Sequence, residues 1–348
     1  MATNKHECTR IRRVIRVYSC LFAAIFLPGC GRYADFTLPA PDASGPRAPF
    51  AWQASPSPVI DRAGASDVLN PSVIRFRGAY LNLYSAYDGR AWRTALATST
   101  DGIVWTKRGI VLSLSGWEGS YIAANGSAVA TSDRVFYWYE AGDPLRIALA
   151  TSPDGIEWTK DPHPVIETGP RGSFDERAVS DPYVIRAGDR FYLFYTGLDR
   201  ARRQRIGVAR SEDGRRWEKL RSNPVLEIGA AGAFDERALG EPAVWSSGGW
   251  WWMLYTGSDR AEHRKIGLAK SADGVDWERD PGFPPITGGE PWDSAVVCDP
   301  TVEVLSDSVR VWFGGGDVPS PDQNLHGQIG MGILKSRPLS DAPVESVH

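Results

Sequence analysis

Residues 181–226 read DPYVIRAGDRFYLFYTGLDRARRQRIGVARSEDGRRWEKLRSNPVL, and residues 241–286 read EPAVWSSGGWWWMLYTGSDRAEHRKIGLAKSADGVDWERDPGFPPI. In both stretches, runs of aromatic and β-branched residues alternate with Gly, Asp and Asn turns, which is typical of short strands. A unit of this length cannot bury its own apolar faces and must stack on neighbouring copies. The repeat therefore decides the fold, and it marks Asp181 and Glu241 as acidic residues at equivalent points.

The repeat extends along most of the chain. The element S-x-D-G-x-x-W occurs four times and ends at Trp105, Trp158, Trp217 and Trp277. A polar residue that opens an apolar strand recurs at Asn70, Asn125, Asp181, Glu241 and Asp299. Each unit reads as four short strands, and four-stranded units repeated radially are the blades of a propeller.

The ends of the repeat predict how the ring closes. The fifth unit stops after residues 329–334, which read as its third strand. Trp52 is followed by the Pro-Val-Ile of residues 58–60, as Trp217 is followed by the Pro-Val-Leu of residues 224–226. We therefore expect an all-β, five-bladed β-propeller of four-stranded blades over residues 50–340, closed by an N-terminal strand near Trp52.

The N-terminal segment predicts export. Residues 1–30 combine a basic start, an apolar run over residues 17–27 that is too short to span a bilayer, and the sequence LPGC, which resembles a bacterial lipoprotein cleavage box. Lipidation of Cys30 would anchor the protein in the bacterial cell envelope, with no other membrane contact; secretion or a periplasmic location is the alternative. Residues 31–49 read as a flexible tether, and residues 341–348 as a disordered tail.

Composition excludes some classes of function. Residues 1–29 hold five Lys/Arg and one Asp/Glu, so the rest of the chain carries 34 positive and 41 negative side chains, a net charge of −7. This charge gives no support for nucleic-acid binding. Cys298 has no partner for an internal disulfide after export, and the histidines are scattered. We expect a monomer without metal or cofactor.

The residues that open the inner strands are the candidate site. The propeller topology directs them toward the central funnel, where Asp181, Glu241 and Asp299 would perturb one another's protonation, as an acid/base pair requires. The alternative is that these residues only bind loop backbone. The S-x-D-G-x-x-W elements lie on the opposite face and are predicted to be structural.

The motifs resemble a known superfamily. The D-P and E-P strand openings, the YTG-x-D-R loops and the A-x-S-x-D-G-x-x-W elements are similar to the five-bladed propeller glycoside hydrolases of families 43, 32, 62 and 68, with the related family 130. The resemblance covers about residues 50–336. It implies a glycosidase that acts on a poly- or oligosaccharide in the funnel.

The family 43 pattern assigns roles by resemblance. It has an Asp base, a second Asp that tunes the acid and a Glu proton donor, which align with Asn70, Asp181 and Glu241. Glu241 would then be the general acid, but Asn70 cannot accept a proton. Asp67 or Asp299 could replace the base, the protein could be a carbohydrate-binding surface lipoprotein without turnover, or the reaction could need no such base.

Family 130 is an example of the last option, a reaction that needs no such base. Its mannoside phosphorylases also carry Asn-Pro in the first blade, and phosphate can serve as their nucleophile, although Asn125 stands where that family places its catalytic Asp. Basic loops that include Arg200 and Arg260 could hold phosphate or an anionic sugar. Asn70, Asn125 and Asp299 would bind sugar hydroxyls. A partner-binding scaffold is a further alternative.

The sequence FDER occurs twice, at residues 174–177 and 234–237. Its repetition at equivalent points indicates a blade-joining role, in which an acidic and a basic side chain pair at each junction. We therefore assign these residues no part in catalysis, although Arg177 and Arg237 could reach a substrate.

Overall fold

The computed structural model describes residues 32–337, so the expected signal segment, Cys30 and the tail at 341–348 lie outside the described residues. Between residues 32 and 337 the chain is all-β, with twenty-one strands and two three-residue 3-10 helices, Gly116–Glu118 and Pro291–Asp293. In this range no helix is long and apolar enough to cross a bilayer.

Consecutive strands pair antiparallel in sets of four. The first set is β3 (Asp67–Phe76), β4 (Ala79–Tyr87), β5 (Trp92–Ser99) and β6 (Thr106–Leu112). The second is β7 (Ile122–Ala130), β8 (Val135–Ala141), β9 (Arg146–Ser152) and β10 (Thr159–Lys160). The third is β11 (Ala178–Ala187), β12 (Arg190–Leu198), β13 (Gln204–Ser211) and β14 (Glu218–Leu220). The fourth is β15 (Ala238–Ser247), β16 (Trp250–Ser258), β17 (Arg264–Ser271) and β18 (Glu278–Arg279).

The last three strands take their partner from the start of the chain. They are β19 (Val296–Val304), β20 (Ser308–Gly316) and β21 (Gln328–Ser336), which pair in sequence. The other edge of β21 pairs antiparallel with β2 (Phe50–Ala54), so that Trp52 lies opposite Leu334. Trp52 also packs edge-on against Phe313, with ring centroids 5.8 Å apart.

Residues 32–49 differ from the expected tether. β1 (Arg32–Ala34) pairs in parallel with β14, and Leu38 is buried in a core cluster with Tyr192 and Val208. The carbonyl oxygen of Pro39 accepts a hydrogen bond from the Trp251 indole at 3.0 Å. The segment lies along the sheets because its apolar side chains fill gaps there, which its Pro- and Gly-rich composition does not reveal.

The contribution of β2 to stability gives a direct prediction. Phe50 is 4% exposed and packs edge-on against Trp252, with ring centroids 5.2 Å apart. We expect Phe50→Ala to lower the free energy of unfolding by about 3–5 kcal/mol, because it removes a buried aromatic ring. The exposed neighbour Gln53 provides the control, since Gln53→Ala should change stability by less than about 0.5 kcal/mol. Equal losses in urea unfolding would contradict this packing.

The S-x-D-G-x-x-W elements are structural turns. In the first, the Ser99 hydroxyl accepts a hydrogen bond from the Gly102 amide at 2.9 Å. The Asp101 side chain accepts hydrogen bonds from the amides of residues 103 and 104. The turn also joins neighbouring sets, because the Gly102 carbonyl accepts the indole N–H of Trp312 at 2.9 Å. These polar groups are occupied by local hydrogen bonds, as the sequence predicts.

Each FDER motif contributes a buried acidic residue whose aromatic and cationic side-chain partners lie in the set that follows it, so the expected pairing across a junction is not seen. Asp175 accepts hydrogen bonds from the Tyr195 hydroxyl at 3.0 Å and from the Lys219 ammonium at 2.5 Å. Asp235 makes the equivalent contacts with Tyr255 and Arg279. The acidic residues therefore do pair with cations, but the partner comes from the outer strand rather than from the arginine of the same motif.

Candidate functional site

A β-bulge in the first strand of each set positions the five candidate side chains. The register of β11 against β12 shifts between Ser180 and Tyr183, and the same shift occurs in β3, β7, β15 and β19. The bulged residues have left-handed backbones with φ between 49° and 52°; they are Asn70, Asn125, Asp181, Glu241 and Asp299. A bulge redirects a side chain and leaves its residue unpaired, which is why proline can follow.

The bulge corrects one detail of the prediction. The five residues do not open their strands, because each strand begins three residues earlier and continues through the bulge. Left-handed backbone is uncommon for residues other than glycine, and its repetition at five equivalent points indicates a constraint that the site imposes. The sequence carries this signal only as a polar residue inside an apolar run.

All five residues line one cavity of about 530 Å³. Its wall also contains Glu140, Arg202, Arg237 and Arg264. The structure does not bring Arg200 and Arg260 into this cavity. Arg200 pairs with Glu176 and lines a separate, more open cavity of about 920 Å³, whereas Arg260 pairs with Glu236. We assign the chemistry to the smaller cavity, because the larger one contains none of the five bulged residues.

Glu241 and Asp299 form a close carboxyl pair. Each offers an oxygen within 4.8 Å of the other, and the Asp299 amide donates to Glu241 Oε2 at 3.0 Å. Burial, then the charges of Asp299 and Asp181, raise the pKa of Glu241 well above its ordinary value. Burial is also the main cause that raises the pKa of Asp299 to about 6. Asp299 contributes more to the raised pKa of Glu241 than the expected Asp181 does.

Asp181 lies in a second carboxyl pair, with Glu140 of β8. The Asn125 side-chain amide donates to Asp181 Oδ1 at 2.7 Å and to Glu140 Oε1 at 2.6 Å, so it bridges the two groups. The Asp181 amide also donates to Glu140 Oε1, at 2.5 Å. Burial and the neighbouring Asp181 raise the pKa of Glu140 well above its ordinary value.

The sequence prediction missed Glu140 because it stands on a second strand rather than at a bulge. The signal that could have found it is the replacement of the YTG of the third and fourth sets by YEA at residues 139–141. An acidic residue in place of a threonine inside an otherwise apolar strand is costly to bury and therefore informative.

The two residues proposed as replacements for the Asn70 base differ in access. Asp67 is fully buried, accepts the Gly327 amide at 2.7 Å and is absent from the cavity wall. Asp299 lines the cavity, and its Oδ1 has no hydrogen-bond partner among the described residues. Cys298 lies beneath, buried, with its thiol donating to Asp299 Oδ2 at 3.0 Å.

Glu241, Cys298 and Asp299 could each direct one ligand atom to a common point. This donor set fits a cation poorly. The Arg264 guanidinium is close enough to lower the pKa of Glu241, so a positive charge already faces the group. Burial raises the pKa of the Cys298 thiol, whereas a metal needs the thiolate.

The raised pKa values predict how stability depends on pH. Asp299 has an ordinary pKa of 3.8 and a folded value of about 6, so between these values the folded protein holds a proton that the unfolded chain releases. The stabilisation relative to Asp299→Asn is therefore full below about pH 4 and is lost as pH rises through 6, by about 3 kcal/mol. Urea unfolding of both proteins at pH 4.5 and 7.5 should show about 2 kcal/mol of this loss, because part of it has already occurred at pH 4.5. A difference that stays constant or reverses would contradict the burial argument.

Sequence comparison places the chain among carbohydrate-active proteins. A sequence model of the glycosyl hydrolases family 32 N-terminal domain matches residues 73–193 and again residues 148–289, so the two matches together cover more than half of the chain. An uncharacterized protein of Mycobacterium tuberculosis strain H37Rv is 35% identical over 164 residues, 43% of this chain and 52% of that protein. A probable sucrose-6-phosphate hydrolase of Psychromonas ingrahamii is 33% identical over 131 residues, 34% of this chain and 23% of that protein. The chain thus spans about half or less of the curated relatives it matches.

Solved structures agree on the propeller fold. A thermostable family-43 glycoside hydrolase superposes with a TM-score of 0.60 at 19% identity, over 81% of this chain and 95% of that one. The β-1,2-mannobiose phosphorylase of Listeria innocua superposes with a TM-score of 0.65 at 13% identity, over 83% and 97%. Together with the family 32 match over residues 73–289, these findings show that the chain belongs to the β-propeller glycoside hydrolase superfamily.

Proposed function

We propose that this protein hydrolyses a glycosidic bond of a poly- or oligosaccharide in the 530 Å³ cavity, with Glu241 as the general acid. The observation that carries the proposal is the Glu241–Asp299 pair. Burial beside another carboxyl group raises the pKa of Glu241 and so favours its protonated form, and this is the state that protonates a leaving-group oxygen.

The spacing of that pair limits the role of Asp299. An inverting acid and base are about 6.5–9.5 Å apart, which leaves room for water on the opposite face of the sugar. Asp299 and Glu241 offer oxygens within 4.8 Å of each other. Asp299 therefore supports the acid by raising its pKa, and it binds a sugar hydroxyl at the cavity wall together with Asn70 and Asn125. The base lies elsewhere in the cavity.

The experiment is a product analysis with the protein that starts after Cys30. We would incubate it with arabinosyl, xylosyl, fructosyl, galactosyl and mannosyl glycans, with and without phosphate. Free sugar that disappears in Glu241→Gln would support hydrolysis. Binding without any product would support the alternative of a carbohydrate-binding protein and would refute the proposal.

A phosphorylase-like reaction is the second candidate. Arg202, Arg237 and Arg264 line the cavity, which gives an anion a set of guanidinium donors near Glu241. Arg237 and Arg264 already pair with Glu262 and Asp322, so Arg202 is the arginine most available to phosphate or to an anionic sugar. Sugar 1-phosphate that forms only with added phosphate would favour this candidate over hydrolysis.

The proposal includes the architecture and location that the sequence predicts. We infer five blades, closed by β2, because the bridge between Ile60 and Ile329 repeats those between Ile147 and Ile166, Ile206 and Leu226, and Ile266 and Ile286. We also propose that lipidation of Cys30 anchors the exported protein in the cell envelope. Radiolabelled fatty acid should label the wild type and not Cys30→Ala; equal labelling would refute the anchor.

A further inference from the structure

The fold needs only a hydroxyl at the position of Glu140. In the first four sets, a residue near the end of the second strand accepts a hydrogen bond from the amide N–H of the next bulged residue. Ser85 accepts the Asn125 amide at 2.9 Å, and Thr196 accepts the Glu241 amide at 3.2 Å. Thr256 accepts the Asp299 amide at 3.2 Å. Glu140 makes the equivalent contact with Asp181, so the repeat itself shows that a short side chain is sufficient.

Glu140 has a chemistry that this hydrogen bond does not require. Its side chain is 3% exposed, yet it is a carboxyl group placed against the carboxyl group of Asp181. Two adjacent buried carboxyl groups cost free energy unless they share a proton, and a hydrogen bond between them provides that arrangement. Asn125, which bridges the pair, holds both groups in one orientation.

The site therefore contains two carboxyl pairs, and neither pair alone supplies both the acid and the base. Glu241 and Asp299 are too close to act as acid and base across a sugar. Asn70, where the base is expected, cannot accept a proton. Asp181 lines the same cavity as Glu241 and belongs to the other pair.

We propose that Asp181 is the base of the reaction and that Glu140 is its positioning residue, which together replace the function lost at Asn70. This inference rests on the proposed hydrolysis. Glu140 holds Asp181 through the hydrogen bond from the Asp181 amide and through the shared Asn125 side chain, and these contacts fix the direction of the Asp181 carboxyl group. The Ser180 hydroxyl donates to the other oxygen of Asp181, Oδ2, at 3.1 Å and completes this support.

The proposed step balances. Asp181 takes a proton from water as the water oxygen bonds to the anomeric carbon, and the glycosidic C–O bond breaks while Glu241 gives its proton to the leaving oxygen. Asp181 is then protonated and Glu241 ionised. Exchange of one proton with solvent at each group restores both.

The carboxylates that face Glu140 are Asp181 and Asp299, and the nearby Arg146 turns toward Glu167, 3.7 Å away.

The repeat supplies a matched variant for the test. Glu140→Thr places at this position the side chain found in the third and fourth sets, so the acceptor for the Asp181 amide is kept while the carboxyl group is lost. We expect the melting temperature to stay within a few degrees and kcat to fall about 100-fold. The pH–activity profile should also change, because the substitution removes a buried carboxyl group with a raised pKa beside Asp181. Glu140→Gln keeps the acceptor and the shape of the side chain and should lower kcat less.

The possible results distinguish a wrong role for Glu140 from a wrong assignment of hydrolysis. An active wild type with an unchanged rate and profile in Glu140→Thr would overturn the role of Glu140. A loss of activity that only follows a loss of folded protein would reduce Glu140 to a structural residue. A wild type that binds glycans without turnover would overturn both proposals.

Discussion

Glu241→Gln will lower kcat by about 10²–10⁴-fold while the protein stays folded and binds its glycan, because the substitution removes the proton that the leaving group needs. The amide has nearly the same shape as the protonated acid, so its hydrogen bond with the Asp299 amide can persist. The variant also removes an ionisable group whose pKa burial raises well above its ordinary value. Stability at neutral pH should therefore equal or exceed that of the wild type. Initial rates, calorimetric binding and thermal melting measure the three quantities.

The control for this prediction is Glu236→Gln. Glu236 is an acidic residue of the same set, but it pairs with Arg260 outside the cavity. We expect its substitution to leave kcat and the melting temperature almost unchanged. Equal rates for Glu241→Gln and the wild type would remove Glu241 from the mechanism. Equal losses in both variants would point to a general effect of acidic residues rather than to a proton donor.

Asp175→Ala will have the largest effect on stability among the charged residues that we have described, about 3–5 kcal/mol in the free energy of unfolding. Asp175 is 1% exposed and its partner Lys219 is 7% exposed as side chains. Removing the carboxylate leaves the Lys219 ammonium buried without its counter-charge, and the Tyr195 hydroxyl loses its acceptor. Urea unfolding measures the loss.

Two further variants test the cause. Glu212 of the same set pairs with Arg190 and its side chain is 79% exposed, so Glu212→Ala should cost less than about 1 kcal/mol. The double variant Asp175→Leu/Lys219→Met removes both charges and should recover much of the lost stability, because a buried ion pair adds little over an apolar pair of similar size. A double variant as unstable as Asp175→Ala would show that geometry, not the unpaired charge, sets the loss.

Local sequence was sufficient for the all-β class and for most of the candidate site. Strand periodicity and turn chemistry act over a few residues, so the strands around Asp181 and Glu241 could be predicted from the 46-residue repeat. The same repeat predicts that Asn70, Asn125, Asp181, Glu241 and Asp299 are equivalent, and they do share one cavity. Their equivalence follows from sequence spacing alone.

Side-chain partners could not be predicted in the same way. Arg200 and Arg260 were expected near the substrate, yet each pairs with a glutamate on another loop, 24 residues earlier in the chain, because the nearest opposite charge determines where a long side chain lies. The segment at 32–49 was expected to be a tether, yet Leu38 is buried. Both outcomes depend on distances between residues far apart in the chain.

The repeat, the strands and the polar residues of the cavity could all be predicted from sequence, because they depend on local propensity and spacing. The association of the carboxyl groups could be seen only in the folded chain. The expected pair was Asp181 with Glu241, whereas the folded chain pairs Glu241 with Asp299 and Asp181 with Glu140. The physical reason is that burial and the closest charge control protonation, and both are set by which strands converge on the cavity.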